Sequence, residues 1–156
     1  MALARIGIGS NLGDAIGNVR RAFDELGTLG IVAARSSLYR TAPWGVREQP
    51  DFVNAAALLE TALAPRALLA ELKEIERRMG REPAERWGAR MIDLDLLAYD
   101  DLELEEADLV VPHERLFERA FALAPLAEID PSFRAALERL PVETRESVRR
   151  IADHRG

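Results

Sequence analysis

The chain has 156 residues, enough for one domain with a buried core but not for two of ordinary size, and its 48% hydrophobic and 31% charged content is that of a globular protein. Cysteine is absent, which excludes disulfides, thiolate nucleophiles, iron–sulfur clusters and cysteine-based zinc sites together. A formal charge of -6 argues against a broad polyanion-binding surface, so neither nucleic acid nor an anionic membrane is an expected partner.

Residues 3–8 alternate around Arg5 and break into Gly9-Ser10-Asn11-Leu12-Gly13-Asp14, which predicts a first strand running into a turn. From Asp14 onward, Ile16, Val19, Phe23 and Leu26 recur at helical spacing before Gly27. Residues 31–40 and 52–59 read as the second and third strands, separated by a loop from Thr41 to Asp51 that is long enough to act as a lid, with Pro43, Trp44 and Gly45 equally suited to packing and turn roles. Pro65 suits the first turn of a second helix, in which Leu68, Leu69, Leu72, Ile75 and Met79 share a face before Gly80. Residues 91–99 form a fourth strand, apolar with acids at alternate positions.

The order β-α-β-β-α-β predicts an α+β, ferredoxin-like fold, an antiparallel sheet with helices packed on a face. Residues 102–111 read as an extra strand or hairpin, followed by Pro112-His113 and a helical run through Leu126. The tail after Pro131 reads as a weakly amphipathic helical extension, interrupted by Pro141, with Arg145, Arg149 and Arg150 facing solvent. Residues 1–156 are expected to form a single domain.

Inventory narrows the chemistry. The single lysine, Lys73, follows Leu72, so no Gly-x-x-x-x-Gly-Lys phosphate loop exists; His113 and His154 are too far apart for a paired-histidine zinc motif. No serine occupies a Gly-x-Ser-x-Gly elbow. The Gly7-to-Gly13 stretch is one residue too long for a dinucleotide fingerprint and reads as a tight turn into the first helix. With no secretory apolar run and no stretch of membrane-spanning length, a cytoplasmic protein is expected. Monomer is the expected state, since no exposed apolar heptad suggests a partner.

The sharpest feature is Arg86-Trp87-Gly88-Ala89-Arg90-Met91-Ile92-Asp93-Leu94-Asp95-Leu96-Leu97. In a strand Asp93 and Asp95 share one face, with Ile92, Leu94 and Leu96 on the other. Two carboxylates without histidine or cysteine suit Mg²⁺, which takes one or two carboxylates together with waters and substrate phosphates. A solvent-facing edge strand that happens to carry two acids is the alternative. Arg81, Arg86 and Arg90 are fixed cations of the kind a polyphosphate site requires, or partners of Glu82 and Glu85; Trp87 offers a stacking surface or a core anchor.

These residues resemble those of the 6-hydroxymethyl-7,8-dihydropterin pyrophosphokinase family of folate biosynthesis. The segments that carry the resemblance are Arg86-x-Gly88-Ala89-Arg90-x-x-Asp93-Leu94-Asp95-Leu96-Leu97, Ile8-Gly9-Ser10-Asn11-Leu12-Gly13, Ser36-Ser37-x-Tyr39-Arg40-Thr41, Gln49-Pro50-Asp51-Phe52-x-Asn54-Ala55 and Val111-Pro112-His113, spanning about residues 6–130. The resemblance implies transfer of diphosphate from ATP to the hydroxymethyl oxygen of the reduced pterin, with release of AMP. It implies that Asp93 and Asp95 hold two Mg²⁺ ions, and that Arg81 and Arg90 act as catalytic phosphate clamps, with Arg81 on a closing loop. Lys73, Glu76, Arg86, Trp87, His113 and Arg119 then bind ATP, and Thr41, Ala42, Trp44, Phe52, Asn54 and Phe121 bind the pterin. The chain departs from familiar members at Pro83, in a loop one residue shorter, and at Asp108 and Val110, where Arg and Thr are common. A non-catalytic ferredoxin-like module, with the two aspartates as a structural cation site, is the competing reading, and production of AMP separates the two.

Overall fold

Along the chain the elements are β1 (Ala2–Ser10), α1 (Ala15–Leu26), β2 (Ile31–Arg35), β3 (Leu38–Thr41), β4 (Phe52–Thr61), α2 (Pro65–Arg78), β5 (Asp93–Tyr99), β6 (Leu104–Glu106), β7 (Leu109–Val111), α3 (Ala120–Ile129), α4 (Arg134–Glu138), α5 (Val142–Glu146) and β8 (Val148–Ala152). The structure, a computed structural model, describes residues 1–41, 50–80 and 92–152. Among these, six strands form one sheet in the order β5-β1-β4-β3-β8, with β2 also paired to β4. β1 is antiparallel to both β4 and β5, so the seven elements from β1 to β5, with β2 and β3 standing for one strand, reproduce the expected α+β, ferredoxin-like arrangement.

Local sequence explains the helices. The Asp14 carboxylate accepts the Gly17 N–H at 3.0 Å and so caps α1, whose Val19, Ala22, Phe23 and Leu26 are buried. Pro65 opens α2, where its missing N–H costs nothing, and Gly80 follows with φ +89, a left-handed conformation that favours glycine. Leu68, Leu72 and Ile75 of α2 join α1 against Ile6, Ile8, Leu94 and Leu96 in the main core. Burying a side chain such as Phe23 contributes about 1.5–3 kcal/mol. The opposite sheet face carries a second cluster, in which Leu123 and Leu126 of α3 pack on Ala56 and Leu97. Helices therefore cover both faces, α1 and α2 on one and α3 on the other.

Four features differ from the sequence reading. The predicted second strand is divided at the buried Ser36-Ser37 into β2 and β3. β1 continues through Gly9 and Ser10, so Gly7 and Gly9 are strand residues and not part of a tight turn; Gly13, with φ 67, makes that turn. The tail is not purely helical, because β8 pairs antiparallel with β3. Arg149 and Arg150 are exposed as expected, whereas Arg145 is half-buried and donates through Nε to the Leu140 carbonyl at 3.2 Å. The expected hairpin is present as β6 and β7. Among the described residues no helix is long and apolar enough to cross a membrane.

Candidate active site

The strand register places Asp93 opposite Gly9 and Asp95 opposite Gly7. On the other side of β1, Gly9 faces Asn54 and Gly7 faces Ala56. Ile92, Leu94 and Leu96 are buried in the main core, while Asp95 is exposed and Asp93 half-buried on the other face. Because neither glycine has a side chain, β1 forms a shallow floor between the carboxylates and Asn54. A Cβ built on Gly9 would stand 3.0 Å from Asn54 Oδ1 and 3.8 Å from Phe52 Cδ1, so both side chains lean over this floor. Asn54 Nδ2 donates to Thr41 Oγ1 at 2.8 Å, which fixes the amide with its oxygen towards Gly9.

The outer edge of β5 is held by two further predicted site residues. Leu94, between the aspartates, donates its N–H to Glu76 Oε2 at 2.8 Å, and Glu76 is only 6% exposed. The register passes from Arg5↔Ala98 to Ile6↔Leu96, leaving Leu97 as the extra residue of a bulge, and its carbonyl accepts the His113 N–H at 2.8 Å. His113 is thus docked on the aspartate-bearing strand. Its Nδ1 accepts the Arg115 N–H at 3.3 Å. Lys73 is exposed on α2, three residues before Glu76.

Arg119 and Phe121 stand at the start of α3, both half-buried, with the guanidinium 5.4 Å from the ring centroid. Further along, Glu128 accepts from Ser37 N (3.0 Å), Ser37 Oγ (2.9 Å) and the Tyr39 hydroxyl (2.6 Å). Burial, then the hydrogen bond and charge of Glu128, push the Tyr39 phenol above the ordinary tyrosine range. At the helix C-terminus Asp130 pairs with Arg5 Nε at 3.0 Å. Burial alone would raise the Asp130 carboxyl, but hydrogen bonds from Ser132 and Arg5 outweigh it and hold the group below the usual aspartate value.

The structure therefore brings Asp93, Asp95, Phe52, Asn54 and Thr41 onto one sheet face, with Glu76 and His113 at the edge of the strand that bears the aspartates. Ala42, Trp44, Arg81, Arg86, Trp87 and Arg90 lie outside the described residues. The sequence reading gives Gly7 and Gly9 no site role, although their alternation with Ile6 and Ile8 is the signal that marks them as strand residues on the aspartate face. Asp108 is paired with Arg66 Nη1 at 2.8 Å, and Glu106 with Nη2, tying the β6–β7 hairpin to the first turn of α2. Those Arg66 hydrogen bonds and charge hold the Asp108 carboxyl below its ordinary value.

The donor set on the aspartate strand fits a hard divalent cation. Asp93 and Asp95 offer carboxylate oxygens from one face, and among the described residues no group of three or more histidine, cysteine or acidic side chains supplies a closed metal cage. Two carboxylates on one strand face suit Mg²⁺, which usually takes one or two carboxylates and completes its shell with waters and substrate phosphates.

The chain is similar to known proteins in sequence and in fold. Residues 5–131 match the model of the family described as 7,8-dihydro-6-hydroxymethylpterin-pyrophosphokinase. The 2-amino-4-hydroxy-6-hydroxymethyldihydropteridine pyrophosphokinase of Methylorubrum extorquens is 47% identical over 133 residues, 84% of each chain. The Haemophilus influenzae protein of the same name is 37% identical over 157 residues, covering 99% of this chain and 96% of its own. The mitochondrial folate synthesis bifunctional protein of Arabidopsis thaliana is 46% identical over 80% of this chain, which spans only 23% of that longer protein. A Plasmodium falciparum HPPK-DHPS structure shares the fold with TM-score 0.73 at 17% identity, over 96% of this chain and 48% of its own. On the match over residues 5–131 and these identities, the chain belongs to the 7,8-dihydro-6-hydroxymethylpterin-pyrophosphokinase family.

Proposed function

We infer that the chain transfers diphosphate from ATP to the hydroxymethyl oxygen of 6-hydroxymethyl-7,8-dihydropterin, a step of folate biosynthesis. The observation that carries the reading beyond family membership is the sheet face that Asp93 and Asp95 share with Asn54, the side-chain-free Gly9 and Gly7 lying between the strands that bear them. The two carboxylates would hold Mg²⁺, two ions with ATP bound, which supply positive charge against the polyphosphate. Asn54, fixed by Thr41, presents amide groups that match the donor–acceptor edge of a pterin, and Phe52 and Phe121 supply ring surface, with Ala42 and Trp44 assigned to the same pocket.

ATP would bind along the outer edge of β5, near Lys73, Glu76, His113 and Arg119, with Arg81, Arg86, Trp87 and Arg90 assigned to it from the sequence. Arg81 and Arg90 are the proposed catalytic phosphate clamps. His113, whose Nδ1 is engaged by the Arg115 N–H, would offer Nε2 to a phosphate oxygen. In the reaction the pterin hydroxyl oxygen forms a bond to the β-phosphorus and gives up its proton to solvent, the bond from that phosphorus to the α–β bridging oxygen breaks, and AMP leaves. Positioning of the two substrates by these side chains is the principal contribution expected of the protein. We assign residues 1–156 to one domain, monomeric and cytoplasmic.

Asp95→Ala tests the assignment, since Asp95 is exposed and its removal leaves the core untouched. Turnover should fall by at least about a hundred-fold with the circular dichroism spectrum and melting temperature retained. Full activity in that variant would refute the metal role of the pair.

A further inference from the structure

We propose that Glu128, outside the reacting centre, is a positioning residue for pterin binding: its carboxylate sets the spacing between Phe121 on α3 and the Thr41–Asn54 pair on the sheet. The proposal rests on the pterin assignment made above.

The break between β2 and β3 takes Ser37 out of the strand ladder. Ser37 is 1% exposed, and both its N–H and its hydroxyl donate to Glu128. The Tyr39 hydroxyl donates to the same carboxylate at 2.6 Å. Three donors from β3 and its approach thus converge on one side chain of α3. Seven residues separate Phe121 from Glu128, two turns that return to the same helix face about 10 Å along the axis. On β3, Tyr39 and Thr41 likewise share a face, about 7 Å apart.

The directions of the two elements make this useful. Ser36 pairs with Ala56, Tyr39 with Asn54 and Thr41 with Phe52, so β3 runs towards the aspartate end of the sheet. α3 runs the other way, from Phe121 to Asp130 bound to Arg5, and Arg5 lies opposite Leu58. Glu128 therefore joins helix and strand at the level of Ser37 and Tyr39, while Phe121 and Thr41 extend from that junction in the same direction. Fixing the junction fixes the gap between an aromatic ring and the Asn54 amide held by Thr41. A flat heterocycle bound between them depends on that gap directly, whereas a nucleotide along the far edge of β5 meets α3 only through Arg119.

The test is steady-state kinetics of the full chain with ATP, Mg²⁺ and the reduced hydroxymethylpterin, for Glu128→Ala, Glu128→Gln and Tyr39→Phe. Glu128→Ala should raise KM for the pterin about ten-fold or more and leave KM for ATP within about two-fold. Glu128→Gln keeps an oxygen for Ser37 and a polar partner for Tyr39, and should restore the pterin KM to within about three-fold of the parent. Tyr39→Phe removes one of the three bonds and should raise the pterin KM by a smaller factor; it and Glu128→Gln decide the matter if Glu128→Ala does not fold. An unchanged pterin KM in every folded variant, or equal loss of pterin and ATP affinity, overturns the positioning role. A parent protein that makes no AMP overturns the pterin assignment and this proposal with it.

Discussion

The buried carboxylate of Glu76 accepts the backbone N–H of Leu94, the residue between Asp93 and Asp95, at 2.8 Å. β5 pairs with β1 on one side, and on its other side this N–H would otherwise be an edge group buried beneath α2. Helix α2 thereby holds the backbone from which both candidate metal carboxylates project.

Glu76→Ala should cost about 1–3 kcal/mol, the penalty for leaving a buried donor unmet. In a domain of this size that lowers the melting temperature by roughly 2–4 °C per kcal/mol. Turnover at saturating ATP and pterin should fall more than this loss of folded protein explains, because the aspartate strand is no longer fixed. Glu76→Gln, which keeps an accepting oxygen, should recover most of the stability. Thermal melts and kcat measured side by side distinguish the two contributions.

Gly9→Ala places a methyl group 3.0 Å from Asn54 Oδ1, closer than such contacts ordinarily come. The Asn54 side chain must give by a few tenths of an ångström, which displaces the amide set by Thr41, so KM for the pterin should rise by about ten-fold or more while KM for ATP changes little. Kinetics with each substrate varied in turn check this, and a parent-like pterin KM would show that Asn54 does not face the pterin.

The Arg5–Asp130 pair anchors the far end of α3, with both side chains largely buried at 13% and 12% exposure. Asp130→Asn should cost about 1.5–3 kcal/mol at neutral pH, the range for hydrogen bonds to a charged group. The native Asp130 carboxyl titrates below its unfolded value, so its contribution is present above the unfolded aspartate pKa and is lost as pH falls through the lower native value. The stability difference between parent and Asp130→Asn should therefore be largest near neutrality and shrink below about pH 4. Denaturant unfolding at several pH values measures it, and a difference independent of pH would assign the loss to packing.

Much of the architecture is legible in the sequence because its signals are local. The two-residue alternation around Asp93 and Asp95 gives their shared face, and the spacing of Leu68, Leu72 and Ile75 gives the buried side of α2. Gly7 and Gly9 mislead for the same reason: glycine is a turn signal locally, and only pairing with β5 reveals that they clear space between the aspartates and Asn54. β8 is hidden because Arg149 and Arg150 give it little strand character; its pairing with β3 supplies what local propensity does not. The role of Glu128 depends on Ser37, 91 residues away, and no sequence pattern links the two.

The most direct measurement is identification of the nucleotide product when the protein is mixed with ATP, Mg²⁺ and 6-hydroxymethyl-7,8-dihydropterin, read by phosphorus NMR or chromatography. Diphosphate transfer predicts AMP and the pterin diphosphate in equal amounts, formed only when all three are present. Formation of ADP in place of AMP, or no pterin-dependent product, would contradict it.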